Sequence, residues 1–244
     1  MPFPDLPQLL HPTSPLPTHI DLGKCSCSWQ GGVFDYDWSR QQDGFRELTR
    51  EEVAQLMRKL QAASHLLLLN LYLNPSVGGQ LHICMPALTN LQVLSLNSCI
   101  DRSWDLGIFY PKPGSRSKSI DDNETAALAQ ALPKLQSLLV LDMGSNRRIG
   151  SQGWALLLPS LAALTALQVL RLDAINFRAA GMQSLAPSLL HLTALQQLHL
   201  TYNDIGAAGM QSVAPSLLHL TALQQLHLNN NKIGAVGMQS LAMS

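Results

Sequence analysis

Two leucine-rich stretches near the C-terminus are almost copies of each other, LTALQQLHLTYNDIGAAGMQSVAPSLLH from Leu192 and LTALQQLHLNNNKIGAVGMQSLAMS from Leu220. The equivalent leucine, Leu164, lies the same 28 residues before Leu192. A fixed period of this length constrains a chain more than any composition can. Each unit is too small to bury its own apolar surface, so the units must stack, and the predicted shape is a solenoid.

Within one copy the apolar spacing changes. Leu192, Leu195, Leu198 and Leu200 follow steps of three, three and two, which predicts a short strand. Met210, Val213, Leu217 and Leu220 then recur at helical spacing. Asn203, Ile205 and the pair Gly206 and Gly209 lie between them, where the chain turns from strand into helix. Pro215 falls late in the helical half and is expected to end or kink it. Stacking such units gives an α/β protein, with the strands in one parallel sheet and the helices in a second layer.

The pattern L-x-x-L-x-x-L-x-L-x-x-N-x-I-G-x-x-G resembles the leucine-rich repeat family, in its ribonuclease-inhibitor-like class that also occurs in NOD-like receptors. Earlier copies align to it. Leu135, Leu138, Leu141, Met143, Asn146, Ile149, Gly150 and Gly153 match with one extra residue, Arg147 or Arg148. Leu88, Leu91, Leu94, Leu96 and Cys99 match again, before an insertion and a helix resuming at Ile120, Leu128 and Leu132. Leu66, Leu69, Leu71 and Asn74 open a shortened unit that ends near Met85, and Ile20, Leu22 and Cys25 leave a trace of a first strand ahead of a helix on Leu48, Val53, Leu56 and Leu60. The expected organisation is an N-terminal tail and degenerate capping repeat over residues 1–62, then a solenoid over 63–244 with an inserted loop at 101–119. The resemblance implies a curved leucine-rich repeat solenoid, with the parallel sheet on the concave side, the helices on the convex side and a protein-binding concave face.

Composition narrows the function classes. Lys and Arg total 16 against 16 Asp and Glu, and from Leu164 onward the only charged residues are Arg171, Asp173, Arg178, Asp204 and Lys232. There is no basic stripe for nucleic acid. The opening MPFPDLPQLLHPTSPLP has no basic start and is broken by prolines, so it is expected to be an extended tail, neither signal peptide nor membrane span. The four cysteines, Cys25, Cys27, Cys84 and Cys99, are too few and too irregular for a disulfide scaffold or zinc site. Cys25 and Cys99 instead fall where the motif carries Asn or Cys, a position buried at the sheet-to-helix turn. A reducing, cytoplasmic location follows. Asn123-Glu124-Thr125 is a formal sequon in a predicted first helical turn and is expected to be unmodified.

Catalytic and metal readings do not survive the alignment. His199 and His227 share one strand position in neighbouring units, but the preceding unit offers Arg171 there, not a third ligand. Glu51 and Glu52, behind Thr49, and Asp121, Asp122 and Glu124, behind Ser119, read as helix-dipole partners in first turns. The glycines of GSNRRIGSQG recur in later units, which makes them turn residues and not a phosphate loop. Neither a cofactor nor a metal is expected.

The remaining functional surface is the strand face away from the helices. Asp142, Ser145, Arg171, Asp173, His199, Thr201, Tyr202, His227, Asn229 and Asn230 alternate with core leucines and are expected to face solvent there. Trp104 and Tyr110, with Phe109, Lys112, Arg116 and Lys118, give the 101–119 loop the make-up of a contact loop. The expected function is a non-enzymatic module that binds a protein partner through this face. The alternative is an activator of GTP hydrolysis of the Ran-activator type, for which Arg102, Arg147 and Arg148 are the arginines near suitable loops. Leu226, Leu228, Ile233, Met238 and Leu241 are expected on or beside an open end, which implies either a longer repeat array, favoured by the near-identity of the last copies, or self-association of the open ends. Ile175 stands where other units carry Asn146, Asn203 and Asn231, so its turn is expected to lack a side-chain bridge and to exchange its amides faster.

Overall fold

The computed structural model describes residues 9–11, 13–22, 25–30, 33–41, 48–71, 80, 83–97 and 120–242. The first part of the chain forms β1 (His19–Asp21), an antiparallel hairpin of β2 (Cys25–Gln30) and β3 (Val33–Gln41), α1 (Arg50–Leu60), β4 (Leu68–Asn70) and β5 (Val93–Ser95). Strand and helix then alternate: α2 (Asp122–Ala131), β6 (Val140–Asp142), α3 (Ser151–Ser160), β7 (Val169–Arg171), α4 (Arg178–Leu189), β8 (Gln197–His199), α5 (Gly206–Leu217), β9 (Gln225–His227) and α6 (Gly234–Ala242).

Seven strands form one open parallel sheet in the order β1-β4-β5-β6-β7-β8-β9, each paired with the next. Ile20, Leu69, Leu94, Leu141, Leu170, Leu198 and Leu226 stand side by side in register, and all but Leu226 are buried. They point at the helix layer, where Met182, Leu185, Met210 and Val213 close the core from the other side. Pro159, Pro187 and Pro215 all lie inside the last turn of their helices, which run one or two residues further. Proline is tolerated there because the carbonyl it leaves unbonded is close to the helix end.

The turn from strand to helix is held from the neighbouring unit. Asn203 Nδ2 donates to Leu172 O at 2.6 Å and to Leu200 O at 2.9 Å, and its Oδ1 accepts from Ile175 N at 2.9 Å. Asn231 repeats this one unit on, donating to Leu200 O and Leu228 O and accepting from Asn203 N at 2.7 Å. Asn146 does the same for Leu96 O and Met143 O. The faster exchange expected at Ile175 has no basis in this geometry, since the amides of both Ile175 and Arg178 donate to Asn203 of the next turn.

After each of the last three strands the backbone enters the left-handed region at alternate residues, at Ala174, Asn176 and Arg178, at Tyr202, Asp204 and Gly206, and at Asn230, Lys232 and Gly234. Gly206 and Gly234 adopt φ +65° and suit it, whereas Arg178 holds the same position at φ 54° with a side chain. The second glycine of each motif has a different role from the turn-making expected of it. A Cβ on Gly209 would meet Ile205 Cγ2 at 2.7 Å and the Ala179 backbone of the preceding helix at 3.0 Å, so this glycine allows helices to approach. Gly150 is extended and not left-handed, because its unit carries the extra residue.

Of the segment expected to be an extended tail, the described residues 9–11 and 13–17 pack against the fold. Leu9, Leu10 and Leu16 are buried against the same core as α1. The Lys59 ammonium donates to the carbonyls of Leu9, His11 and Ser14 at 2.6, 2.9 and 2.7 Å, and a ring nitrogen of His65 meets Leu16 O at 2.8 Å. Thr49 caps α1 as expected, in a reciprocal box with Glu52. At α2 the residue before the helix is Asp121, and Ser119 lies outside the described residues, as do Asn74, Cys99 and the 101–119 insertion. Cys25 begins a hairpin strand and not the expected sheet-to-helix turn.

Replacing Asn203 by Ala leaves buried backbone groups of two turns unbonded, and is expected to lower stability by about 2–4 kcal/mol in urea melts. Arg178→Gly removes a left-handed side chain and is expected to raise stability by about 0.5–1 kcal/mol. Leu200→Ala, at a fully buried inter-unit position, is expected to destabilise by about 2–5 kcal/mol.

Candidate functional site

Side chains alternate across a strand, so the residues flanking each inward leucine project from the opposite face of the sheet. Two columns result. One contains Leu68, Val93, Val140, Val169, Gln197 and Gln225, and the other contains Asn70, Ser95, Asp142, Arg171, His199 and His227. Only members of the second column and the turns beyond it were legible as surface candidates. The first column was missed, although the signal was present as a valine immediately before the inward leucine of β5, β6 and β7.

The two columns divide the face along its length. From β4 to β7 the first column is apolar and buried, and from β8 it becomes glutamine. Asp142 is fully buried, contrary to the solvent-facing position expected of it. Its Oδ1 accepts from Asn97 Nδ2 at 3.1 Å and from the Gly144 amide at 2.8 Å. Asp173 is buried as well, with Oδ1 accepting from Thr201 N at 2.8 Å and Oδ2 lying 4.0 Å from Arg171 Nε. His199 is 8% exposed, so it does not point into solvent and its loss is not expected to be neutral. Thr201, Tyr202, His227 and Ser145 are half-buried, and Asn229 and Asn230 are exposed. Trp104 and Tyr110 lie outside the described residues.

His199 and His227 stack, with ring centroids 4.2 Å apart and planes 9° from parallel. Each approaches the glutamine two residues before it in its own strand, Gln197 or Gln225, at 3.4 Å. A metal bound by both rings would have to lie in both ring planes, which parallel stacked planes do not allow. Among the described residues no group of three or more His, Cys, Asp and Glu is arranged to hold a metal ion. Of the loop arginines, Arg147 donates from Nε to Ala174 O at 3.2 Å and Arg148 faces Asp121 at 3.5 Å, while Arg102 lies outside the described residues.

The cluster is electrostatically tuned. Burial pushes His199 down to about 3, with Arg171 and His227 adding to the effect. Burial first, and Asp142 in addition, push the Asp173 carboxyl up to about 6 against the pull of Arg171 and the Thr201 amide. Between 3 and 6.5 the unfolded chain holds a proton on residue 199 that the folded chain lacks, so this group removes stability as pH falls. Between 3.8 and 6 the folded chain holds the extra proton on Asp173, so that group removes stability as pH rises. Over the shared range the two slopes oppose each other. Asp173→Asn is therefore expected to steepen the loss of stability on acidification from pH 6 to 4, and His199→Gln to reduce or reverse it. Urea melts across that range check both.

Comparison with known proteins places a family on the repeats. Residues 191–214 and 219–242 each match the family model described as Leucine Rich repeat, covering β8 with most of α5 and β9 with α6. No curated protein matches the chain. The in-register leucine column and the open parallel sheet backed by helices give the chain the fold of an α/β leucine-rich repeat solenoid, and two of its units are similar to the Leucine Rich repeat model.

Proposed function

We propose that the chain is a non-enzymatic interaction module that binds a protein partner through the outward sheet face, centred on β7 to β9 and the turns that follow them. The observation that carries this reading is the change in that face along the sheet. From Arg171 of β7 onward it carries Arg171, His227, Thr201, Tyr202, Asn229 and Asn230, which are at least partly accessible and differ from one unit to the next. Neighbouring strands lie about 4.8 Å apart and packed helices about 8–10 Å, so a stack of such units bends towards the sheet and makes this face the inner one. Leucine-rich repeats generally mediate contacts between proteins, which supports the same reading.

A ribonuclease-inhibitor-like or NOD-like-receptor-type repeat class, a cytoplasmic location and the absence of nucleic acid as partner belong to this proposal. Its supports are the motif and the balanced charge. None of the helices among the described residues is long and apolar enough to cross a membrane. We also propose contact between chains at the outer side of the last repeat. Val236 and Met238 are exposed there, Leu226, Leu228 and Leu241 are only partly buried, and Ile233, expected among them, is buried.

Affinity capture with quantitative mass spectrometry tests the main reading. Tyr202→Ala and Asn229→Arg are expected to lose a partner that the wild type and Gln211→Arg, on the exposed side of α5, both retain. Retention by the sheet-face variants together with loss in Gln211→Arg would move the site to the helices. Acceleration of GTP hydrolysis that Arg148→Ala abolishes would favour the GTPase-activator alternative. Light scattering over a dilution series reads the contact between chains, and Val236→Lys with Met238→Lys is expected to abolish it.

A further inference from the structure

We propose that the stacked pair His199–His227 is an acid-sensitive latch that fastens the repeat of β9 and α6 to the β8 repeat beside it. β9 is the outer strand of the described sheet and is paired there only with β8. Its burial pattern is one exposed and two half-buried residues, where the three residues of β8 are all buried. The imidazole stack at 4.2 Å therefore joins the outermost unit to its neighbour on the outward face, beside the backbone ladder.

The groups around the stack decide what a proton does there. Arg171, His199 and His227 occupy one row of the sheet, a strand spacing apart. Of the two nearby carboxylates, Asp142 stands in that row beyond Arg171, and Asp173 reaches from the end of β7 to the turn after β8. Asp142 on β6 is held by Asn97 and Gly144, and Asp173 after β7 is held by the Thr201 amide near Arg171. Neither α5 nor α6 contains an ionisable side chain. In the turns Asp204 and Lys232 pair with each other at 2.8 Å. His191 and His219 lie at the other end of the units, past the C-termini of α4 and α5. A proton on either stacked ring thus adds a like charge beside Arg171; β8 and β9 contain no carboxylate, and the Asp173 carboxyl, pushed up to about 6, loses its charge over the same range.

Detachment of β9 removes that conflict by giving His227 to water and uncovering His199. Burial and Arg171 hold both rings below the ordinary imidazole range while they are stacked. The detached form therefore binds protons that the closed form does not, and opening becomes easier as pH falls below about 6.5. His227, half-buried, is protonated first, and the buried His199 follows once β9 has moved away. The latch concerns cohesion of the fold and holds whether or not the outward face binds a protein.

Amide hydrogen exchange on the full chain tests this, corrected for the intrinsic pH dependence of exchange. The reporters are the amides of Leu200, Tyr202 and Gln225, which bond across β8 and β9 to His227 O, Asn229 O and Gln196 O. The internal control is the Met143 amide, bonded to Arg171 O between β6 and β7. Protection of the reporters is expected to fall about tenfold per pH unit for each proton taken up, while the control stays constant. His227→Gln and His199→Gln are each expected to flatten that dependence. Reporter and control amides responding alike in the wild type would overturn the latch, and so would acid opening that persists in both variants. Should one variant lose the last repeat at neutral pH, the wild-type reporter-to-control ratio and the other variant still decide.

Discussion

The structure depends on a hydrogen bond that no unit makes for itself alone. Each buried asparagine at the strand-to-helix turn satisfies carbonyls of its own turn and of the preceding one, and takes an amide proton from the unit before it. A buried backbone group without a partner destabilises by about 1–3 kcal/mol, so the turn is stable only with a neighbour in place. The same dependence appears in the apolar layer, where leucines of adjacent strands and residues of adjacent helices close one continuous core. Both the polar and the apolar interactions act between nearest neighbours, which gives the stack a one-dimensional energetic order.

That order explains how the two ends differ. At the N-terminal end the core is covered by α1 and by Leu9, Leu10 and Leu16, drawn in by the three carbonyls that the Lys59 ammonium binds. At the other end the leucines of the last unit are partly accessible and the outermost strand carries His227, one ring of the imidazole stack. The units between tolerate departures from the motif because neighbours compensate. Ile175 replaces an asparagine, yet its amide is bonded by Asn203, and Arg178 retains a left-handed conformation that glycine adopts in the next two units.

The outward face shows how burial changes residues that are polar on paper. Asp142, Asp173 and His199 sit in positions that alternate with core leucines, and strand periodicity places them correctly on the far side of the sheet. Periodicity carries no information about how tightly side chains on neighbouring strands cover one another. Three-residue strands packed side by side surround Asp142 with Asn97 and Gly144, and set His199 between Arg171 and His227. These residues therefore tune the electrostatics of the face, while Tyr202, His227, Asn229 and Asn230 present the accessible chemistry.

The 28-residue step, the leucine spacing and the switch to helical spacing determined the α/β solenoid, since a repeated unit with two apolar faces has no other way to bury them. The asparagine turn and the helical halves followed from the same pattern. Tertiary structure alone decided the closure of the N-terminal end, because a lysine binding distant carbonyls leaves no local periodicity. It also decided the β2–β3 hairpin, the buried valine column and the shielding of Asp142 and His199. Apart from the hairpin, each of those depends on residues that meet across units, 45 positions apart for Asn97 and Asp142 and 28 for His199 and His227, yet one strand spacing apart in space.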